Sequence, residues 1–242
     1  MTPNILIIFL ALLFLLGGIG IFVTNQKKER SERRNSWIKY VVYFFVISTL
    51  FASIIFFPAL FGAFCILIVL GGGFEMIRLQ RNSCRLDWRV WSVYFSAYIA
   101  VSVLFCLFGF ENQDIQLFTL ITVCSFDAFS QISGQLFGKR KICPRISPAK
   151  TIGGTVGGAI VSMFVCVIAG RGMGWDLSLI LPMGLGIAAF SFFGDIAASY
   201  VKRQCGVKDF GRVFPGHGGF LDRFDSLIVA GAFVNLLKLI WI

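Results

Sequence analysis

Long apolar runs, each near the length needed to cross a lipid bilayer, dominate this 242-residue chain. A membrane-spanning helix needs about 20 mostly apolar residues. Eight such runs can be placed, near residues 4–24, 37–57, 58–77, 90–109, 115–137, 152–170, 177–200 and 226–242. Backbone polar groups in hydrocarbon must be paired within their own segment, so the runs predict helices. The predicted fold class is all-α: a polytopic integral membrane protein with about eight transmembrane helices.

Composition supports this fold class. Hydrophobic residues make up 57% of the chain and charged residues 14%, which is far from the balance of a soluble domain. The second and third runs share an uninterrupted stretch around Phe57. Seven spans with a re-entrant hairpin therefore stay open on length alone, whereas the distribution of loop charge favours eight.

Basic residues cluster in alternate connections. The clusters are Lys27, Lys28, Arg30, Arg33 and Arg34; then Arg78, Arg81, Arg85 and Arg89; then Lys139, Arg140, Lys141, Arg145 and Lys150; then a segment after residue 199. The intervening connections hold only Arg171. Under the positive-inside rule the basic loops are cytoplasmic and both termini lie on the non-cytoplasmic side. The net charge of +10 then reflects orientation and attraction to anionic lipid headgroups, and no nucleic-acid partner is expected.

The segment 199–226, SYVKRQCGVKDFGRVFPGHGGFLDRFDS, interrupts the apolar pattern with charges and glycines; it is called the signature segment below. Glycines allow the close backbone approach that surrounds an anion. Carboxylates beside lysines and arginines suit phosphate held together with a divalent metal ion. We therefore expect residues 1–110 to form N-terminal transmembrane helices and residues 111–242 a catalytic transmembrane region.

Acidic residues at membrane depth need partners, because an unpaired charge in hydrocarbon is unfavourable. Glu75, Asp127 and Asp195 fall inside apolar runs. Asp195, Ser199 and Lys202 share one helical stripe that descends to the signature segment, which favours a metal-ligand role for Asp195 over a salt bridge with Lys202.

Two further carboxylates, Asp222 and Asp225, lie one helical turn apart before the last run. They could share a cation or simply complement the dipole of a helix that starts there. Upstream, Ser147 and Pro148 predict an N-cap and a first helical position. The glycines that follow, at 153, 154, 157 and 158, are typical of close helix packing.

The seven cysteines show no CxxC spacing, and three of them, including Cys205, fall in loops assigned to the cytoplasm. We therefore expect neither a zinc site nor a disulfide.

The signature segment resembles that of the phosphatidate cytidylyltransferases, also called CDP-diacylglycerol synthases. The matching residues are Ser199, Lys202, Arg203, Lys208, Asp209, Pro215 to Gly219, Leu221, Asp222, Arg223 and Asp225. An earlier block is also similar, around Asp127, Gly134, Gly138, Lys139, Ser147, Pro148, Lys150 and Thr151. One departure is Gly153, where the family usually has glutamate. The resemblance implies transfer of a cytidylyl group from CTP to phosphatidic acid, giving CDP-diacylglycerol and pyrophosphate in phospholipid biosynthesis.

Residue chemistry and this resemblance together suggest the site. Catalytic roles are predicted for Asp195, Asp222, Lys202 and Arg203, with Asp195 and Asp222 as ligands of Mg²⁺ and a second, monovalent cation left open. Substrate contacts are predicted for Asp127, Ser147, Lys150, Ser199, Lys208, Asp209, His217, Gly218, Gly219, Arg223 and Asp225.

The predicted partners are CTP, phosphatidic acid and the bilayer, with a homodimer left open. The predicted location is a bacterial-type inner (cytoplasmic) membrane, with the active site facing the cytoplasm. Two alternatives stay open: a CTP-dependent enzyme acting on another lipid phosphate or a polyprenol, and a non-catalytic membrane protein, either a transporter or a degenerate lipid-binding relative.

Overall fold

A computed structural model of the chain describes residues 14, 15, 18, 19, 22, 25, 26, 29–82, 86–211, 213 and 218–241. The first predicted span, 4–24, lies largely outside the described residues, and His217 lies wholly outside them. The division of the chain at residue 110 stays a prediction.

Long helices make up most of the described chain. They are α1 (Arg30–Phe56), α2 (Pro58–Asn82), α3 (Trp88–Phe108), α4 (Gln113–Phe137), α5 (Ile152–Gly172), α6 (Leu177–Gln204) and α7 (Leu221–Trp241). Among the described residues, six helices are long and apolar enough to cross a membrane, and these are α1 to α6. The predicted class, a helical polytopic membrane protein, is confirmed.

The second and third apolar runs form two helices with one residue between them. Phe57 ends α1 with φ −143° and ψ 70°, and Pro58 begins α2. Proline is suited to the first helical position because it has no N–H that would need an intrahelical acceptor.

A short hairpin between α4 and α5 was not predicted. Strand β1 (Lys141–Cys143) pairs antiparallel with β2 (Ser147–Thr151). Ser147 therefore lies in a strand, and the prediction that it caps a helix is wrong. Thr151 is the N-cap of α5, and its side chain accepts a hydrogen bond from the Gly154 N–H at 3.1 Å. The error arose because Ser-Pro is a good helix start locally, while pairing with β1 keeps these residues extended.

Helices α4 and α5 approach closely through glycines. A Cβ atom on Gly154 would lie 2.7 Å from the carbonyl oxygen of Ser130, and one on Gly158 would lie 2.9 Å from that of Phe126. The predicted packing role of these small residues is confirmed.

Gly153 takes part in the same close contact. A Cβ atom there would lie 2.8 Å from the carbonyl oxygen of Phe137, so the glutamate usual in the family would not fit without a backbone shift. We expect Gly153→Ala to lower the free energy of unfolding by about 1–3 kcal/mol, the usual effect of overpacking. Thermal unfolding in detergent would measure it.

The matched control is Gly73→Ala, another glycine within a helix. Its added Cβ would meet only Tyr98, at 3.6 Å, an ordinary contact, and alanine is the better helix former. Equal stability of the two variants would contradict the close approach at Gly153.

Helix α7 lies between α3 and α6. Gly231 of α7 faces Phe105 and Phe108 of α3, and Phe233 stacks on Phe190 of α6 with ring centroids 4.2 Å apart. Ile228 and Ala230 of α7 are buried. This packing places the first turn of α7 beside the last turns of α6.

The cysteines differ from the expectation at one position. Cys205, at the end of α6, is disulfide-bonded, so the prediction of no disulfide is wrong there. Cys65, Cys106, Cys124, Cys143 and Cys166 are free, as expected.

Candidate active site

A buried ion pair joins α6 to α7. Lys202 Nζ lies 2.8 Å from Asp222 Oδ1, and the Asp222 side chain is only 1% exposed. The other oxygen, Oδ2, accepts hydrogen bonds from the N–H of Phe210 at 2.8 Å and of Gly219 at 2.9 Å. Both carboxylate oxygens therefore have partners, and Asp222 connects α6 with both halves of the signature segment.

Local sequence favours this pair. Lys202 lies in the last turn of α6 and Asp222 in the first turn of α7, where a cation and an anion respectively complement the helix dipoles. The Lys202 ammonium also lies 5.3 Å from the centroid of the Phe210 ring, a favourable cation–π distance.

A second ion pair joins the hairpin to α6. Lys150 Nζ of β2 lies 2.6 Å from Asp195 Oδ2. The other Asp195 oxygen accepts a hydrogen bond from Ser199 Oγ at 3.3 Å. The alternative salt bridge between Asp195 and Lys202 is thus absent among these described residues, because each has a different partner.

Two more carboxylates act on Lys150. Burial lowers the pKa of the Lys150 ammonium, whereas the charges of Asp195, Asp127 and Asp225 raise it, and the net shift of the pKa is upward. Asp127 of α4 accepts a hydrogen bond from Ser191 Oγ of α6 at 3.4 Å. Asp225 Oδ1 accepts one from the Ser226 N–H at 2.8 Å. These three carboxylates therefore act on one ammonium group.

The predicted Mg²⁺ site can be compared with the side chains around Asp195. No group of three His, Cys, Asp or Glu side chains in the described part of the chain could hold a metal ion. Mg²⁺, however, usually takes one or two carboxylates and completes its shell with water and substrate phosphates. The Asp195 side chain is 29% exposed, but Lys150 would have to leave Oδ2 before that oxygen could bind a metal ion, so its role as a ligand stays a prediction. Ligation by Asp222 would require Lys202 to leave Oδ1, so that role stays a prediction.

The cytidylyltransferase family model matches residues 1–241. The chain belongs to the cytidylyltransferase family. A phosphatidate cytidylyltransferase of Staphylococcus epidermidis is 34% identical over 202 residues, which cover 79% of this chain and 78% of that protein.

Other relatives match over shorter stretches. A phosphatidate cytidylyltransferase of Staphylococcus saprophyticus is 37% identical over 145 residues, 58% of this chain and 55% of that protein. One of Brucella abortus is 38% identical over 138 residues, 55% of this chain and 49% of that protein. The chain thus spans about half the length of these two relatives.

Several other predicted site residues of this cytidylyltransferase-family chain have exposed side chains. Arg203 is exposed, and its guanidinium donates to the carbonyl oxygens of Ile146 at 3.2 Å and Val207 at 2.9 Å. These bonds hold the hairpin turn against the end of α6. Lys208, Asp209 and Arg223 are exposed, and their contacts with substrate stay predictions.

The two glycines that begin the second half of the signature segment adjoin Asp222. Gly218 has φ +81°, which is strained for any other residue. A Cβ atom on it would lie 2.6 Å from Asp222 Oδ2. Glycine there lets the backbone pass close to the carboxylate, and Gly219 donates its N–H to that oxygen.

Glu75 of α2 was not among the predicted site residues of this family member. It is 3% exposed and accepts hydrogen bonds from the N–H groups of Phe220 at 2.9 Å and Leu221 at 3.0 Å. The sequence signal was a carboxylate at membrane depth that needed a partner. The partner is the backbone of the signature segment, which side-chain chemistry does not reveal.

Proposed function

We propose that this chain transfers a cytidylyl group from CTP to phosphatidic acid, giving CDP-diacylglycerol and pyrophosphate for phospholipid biosynthesis. Family membership over nearly the whole chain and the names of the relatives support the reaction. The observation that carries it is the placement of two lysine–carboxylate pairs, Lys150–Asp195 and Lys202–Asp222, where the hairpin, the end of α6 and the start of α7 meet.

In the proposed reaction a phosphate oxygen of phosphatidic acid attacks the α-phosphorus of CTP. The bond from that phosphorus to the oxygen bridging the α- and β-phosphates breaks, and pyrophosphate leaves with the electron pair. The attacking phosphate is largely ionised at neutral pH, so no separate general base is required. The site must still hold several negatively charged phosphate groups in position for in-line attack. Cations and oriented N–H groups stabilise such an arrangement.

The described residues can divide this work. Asp195 would hold Mg²⁺, which would supply positive charge to neutralise the phosphate groups. Lys150 and Lys202 are ammonium groups that Asp195 and Asp222 hold in place. Arg223 and Lys208 offer exposed cations, and arginine in particular can bind phosphate through two parallel hydrogen bonds.

We propose that the site faces the cytoplasm, in a bacterial inner membrane. Lys150, Lys202 and Asp222 lie in connections that carry clusters of basic residues, which the positive-inside rule assigns to the cytoplasm. Phosphatidic acid would reach the site from the bilayer and CTP from water. A homodimer is a separate proposal, resting on the family resemblance, that the mass of the protein in detergent would test.

The test is turnover by the purified full chain in detergent, with CTP, phosphatidic acid and Mg²⁺. We expect equal amounts of CDP-diacylglycerol and pyrophosphate. Chelation with EDTA should remove activity and excess Mg²⁺ should restore it, because the phosphate charges need a divalent cation. CTP consumption with another lipid phosphate or a polyprenol, but not with phosphatidic acid, would transfer the proposal to that acceptor. No consumption with any of these lipids would favour a non-catalytic membrane protein.

A further inference from the structure

A carboxylate from the N-terminal half of the chain contacts the backbone of the signature segment. Glu75 of α2 is buried, and both of its oxygens accept backbone hydrogen bonds from the start of α7, Oε1 from Phe220 and Oε2 from Leu221. The first N–H groups of a helix have no intrahelical acceptor. A carboxylate at this end is also favoured by the helix dipole.

Glu75 and Asp222 together accept from three successive N–H groups. Asp222 binds that of Gly219, and Glu75 binds those of Phe220 and Leu221. Hydrogen bonds to an ionised acceptor are roughly twice as strong as neutral ones. The backbone at residues 219–221 is therefore held by charge-assisted bonds from two different helices.

The first half of the signature segment meets the same carboxylate. A Cβ atom on Gly211 or on Gly219 would overlap Glu75 Oε1, and the one on Gly211 would also lie 3.3 Å from the Gly219 Cα atom. The backbone at Gly211 and the backbone at Gly219 therefore lie next to each other, and both lie against the Glu75 carboxylate. Phe210, next to Gly211, donates its N–H to Asp222.

We infer that Glu75 is a positioning residue, which joins the two halves of the signature segment, 199–211 and 218–226, and so sets the place of the Lys202–Asp222 pair. The inference rests on the proposed function for its effect on turnover, but its structural part does not. Among the described residues, the one proposed substrate contact that Glu75 meets is the Gly219 backbone.

The test compares Glu75→Gln with Glu111→Gln, two carboxylate replacements that each weaken a contact to α7. Glu111 accepts from Lys238 at 2.7 Å, near the other end of that helix, and its side chain is 10% exposed. A glutamine at 75 keeps one acceptor oxygen but turns an NH₂ group toward a backbone donor. At least one of the two N–H groups is then left without a partner.

Hydrogen–deuterium exchange of the full chain in detergent reads this directly. We expect amides in a peptide covering 219–224 to exchange about tenfold faster or more in Glu75→Gln, in line with the loss of a charge-assisted bond. Exchange in α4 and α5 should stay unchanged. We expect kcat/KM for CTP to fall about tenfold as well, at a temperature well below the unfolding midpoint. Glu111→Gln should alter neither quantity by more than about twofold.

Two results would overturn the inference. One is unchanged exchange at 219–224 in Glu75→Gln. The other is faster exchange spread over all helices with the same loss of unfolding midpoint in both variants, which would make Glu75 a general stabilising contact. If wild type makes no CDP-diacylglycerol, the proposed function fails, and the exchange measurement alone still decides the role of Glu75.

Discussion

Replacing Lys202 with methionine is expected to abolish CTP turnover and to lower the free energy of unfolding by about 3–5 kcal/mol, the usual effect of removing one partner of a buried ion pair. Lys202 is the only cation paired with Asp222 among the described residues, at 2.8 Å, and the pair is nearly inaccessible to water. Methionine has a similar length but no charge, so the buried carboxylate would keep only its two N–H donors. Chemical unfolding and CDP-diacylglycerol formation would measure the two effects.

The control is Lys141→Met, at an exposed lysine of β1, which should leave both quantities near those of wild type. A double variant, Lys202→Met with Asp222→Asn, separates stability from chemistry. Removing both charges should recover part of the lost stability, because no uncompensated charge stays buried, whereas turnover should stay absent. Equal stability of Lys202→Met and Lys141→Met would show that the buried pair contributes little.

Asp195→Asn is expected to lower kcat at least about 100-fold and to raise the Mg²⁺ concentration needed for half-maximal activity, since even groups that only support metal ligands typically contribute 10–100-fold. The asparagine would keep the hydrogen bond from Ser199 but would lose the charge that faces Lys150 and the proposed cation. Turnover measured over a range of Mg²⁺ concentrations would show both changes.

The matched control is Asp176→Asn, at the opposite end of the same helix. The Asp176 side chain is 88% exposed, and its ion pair with Arg171 is long, at 3.8 Å. We expect no change in Mg²⁺ requirement there, because surface ion pairs contribute little. If Asp195→Asn kept more than about half of wild-type turnover at the wild-type Mg²⁺ requirement, Asp195 would not be a metal ligand.

The two aspartates predicted to hold the metal have different surroundings. Asp222 has three hydrogen-bond donors and is 1% exposed, whereas Asp195 has one ammonium and one hydroxyl and is 29% exposed. An ion from solvent can reach Asp195 with fewer bonds broken. Both aspartates have the same predicted role in the sequence pattern, but in the fold a metal ion from solvent could reach Asp195 more easily than Asp222.

The structure also brings the N-terminal half of the chain into contact with the signature segment at Glu75. The N-terminal helices are the part for which the sequence suggested the least function. Glu75 nevertheless contacts Phe220, 145 residues further along the chain. A substitution in α2 can thus disturb the signature segment, although the two are far apart in the sequence.

Sequence alone determined the helices, because a bilayer leaves an apolar run no other way to pair its backbone. The run at 90–109 became Trp88–Phe108, and the run at 152–170 became Ile152–Gly172. It also determined the family, because the signature segment keeps its charged and glycine residues at close, specific spacing. These features are local, so neighbouring residues suffice to predict them.

Tertiary structure alone decided which charges pair. Lys150 joins Asp195, Lys202 joins Asp222, and Glu75 joins the backbone of α7. By sequence, a salt bridge of Lys202 with Asp195 on its own helix was the disfavoured alternative, and Asp222 was not indicated as its partner. Tertiary structure also placed the N-cap of α5 at Thr151 and not at Ser147, because pairing with β1 holds Ser147 in β2. Such choices depend on how helices distant in sequence pack against one another, and the free energy of an ion pair depends on that geometry and burial.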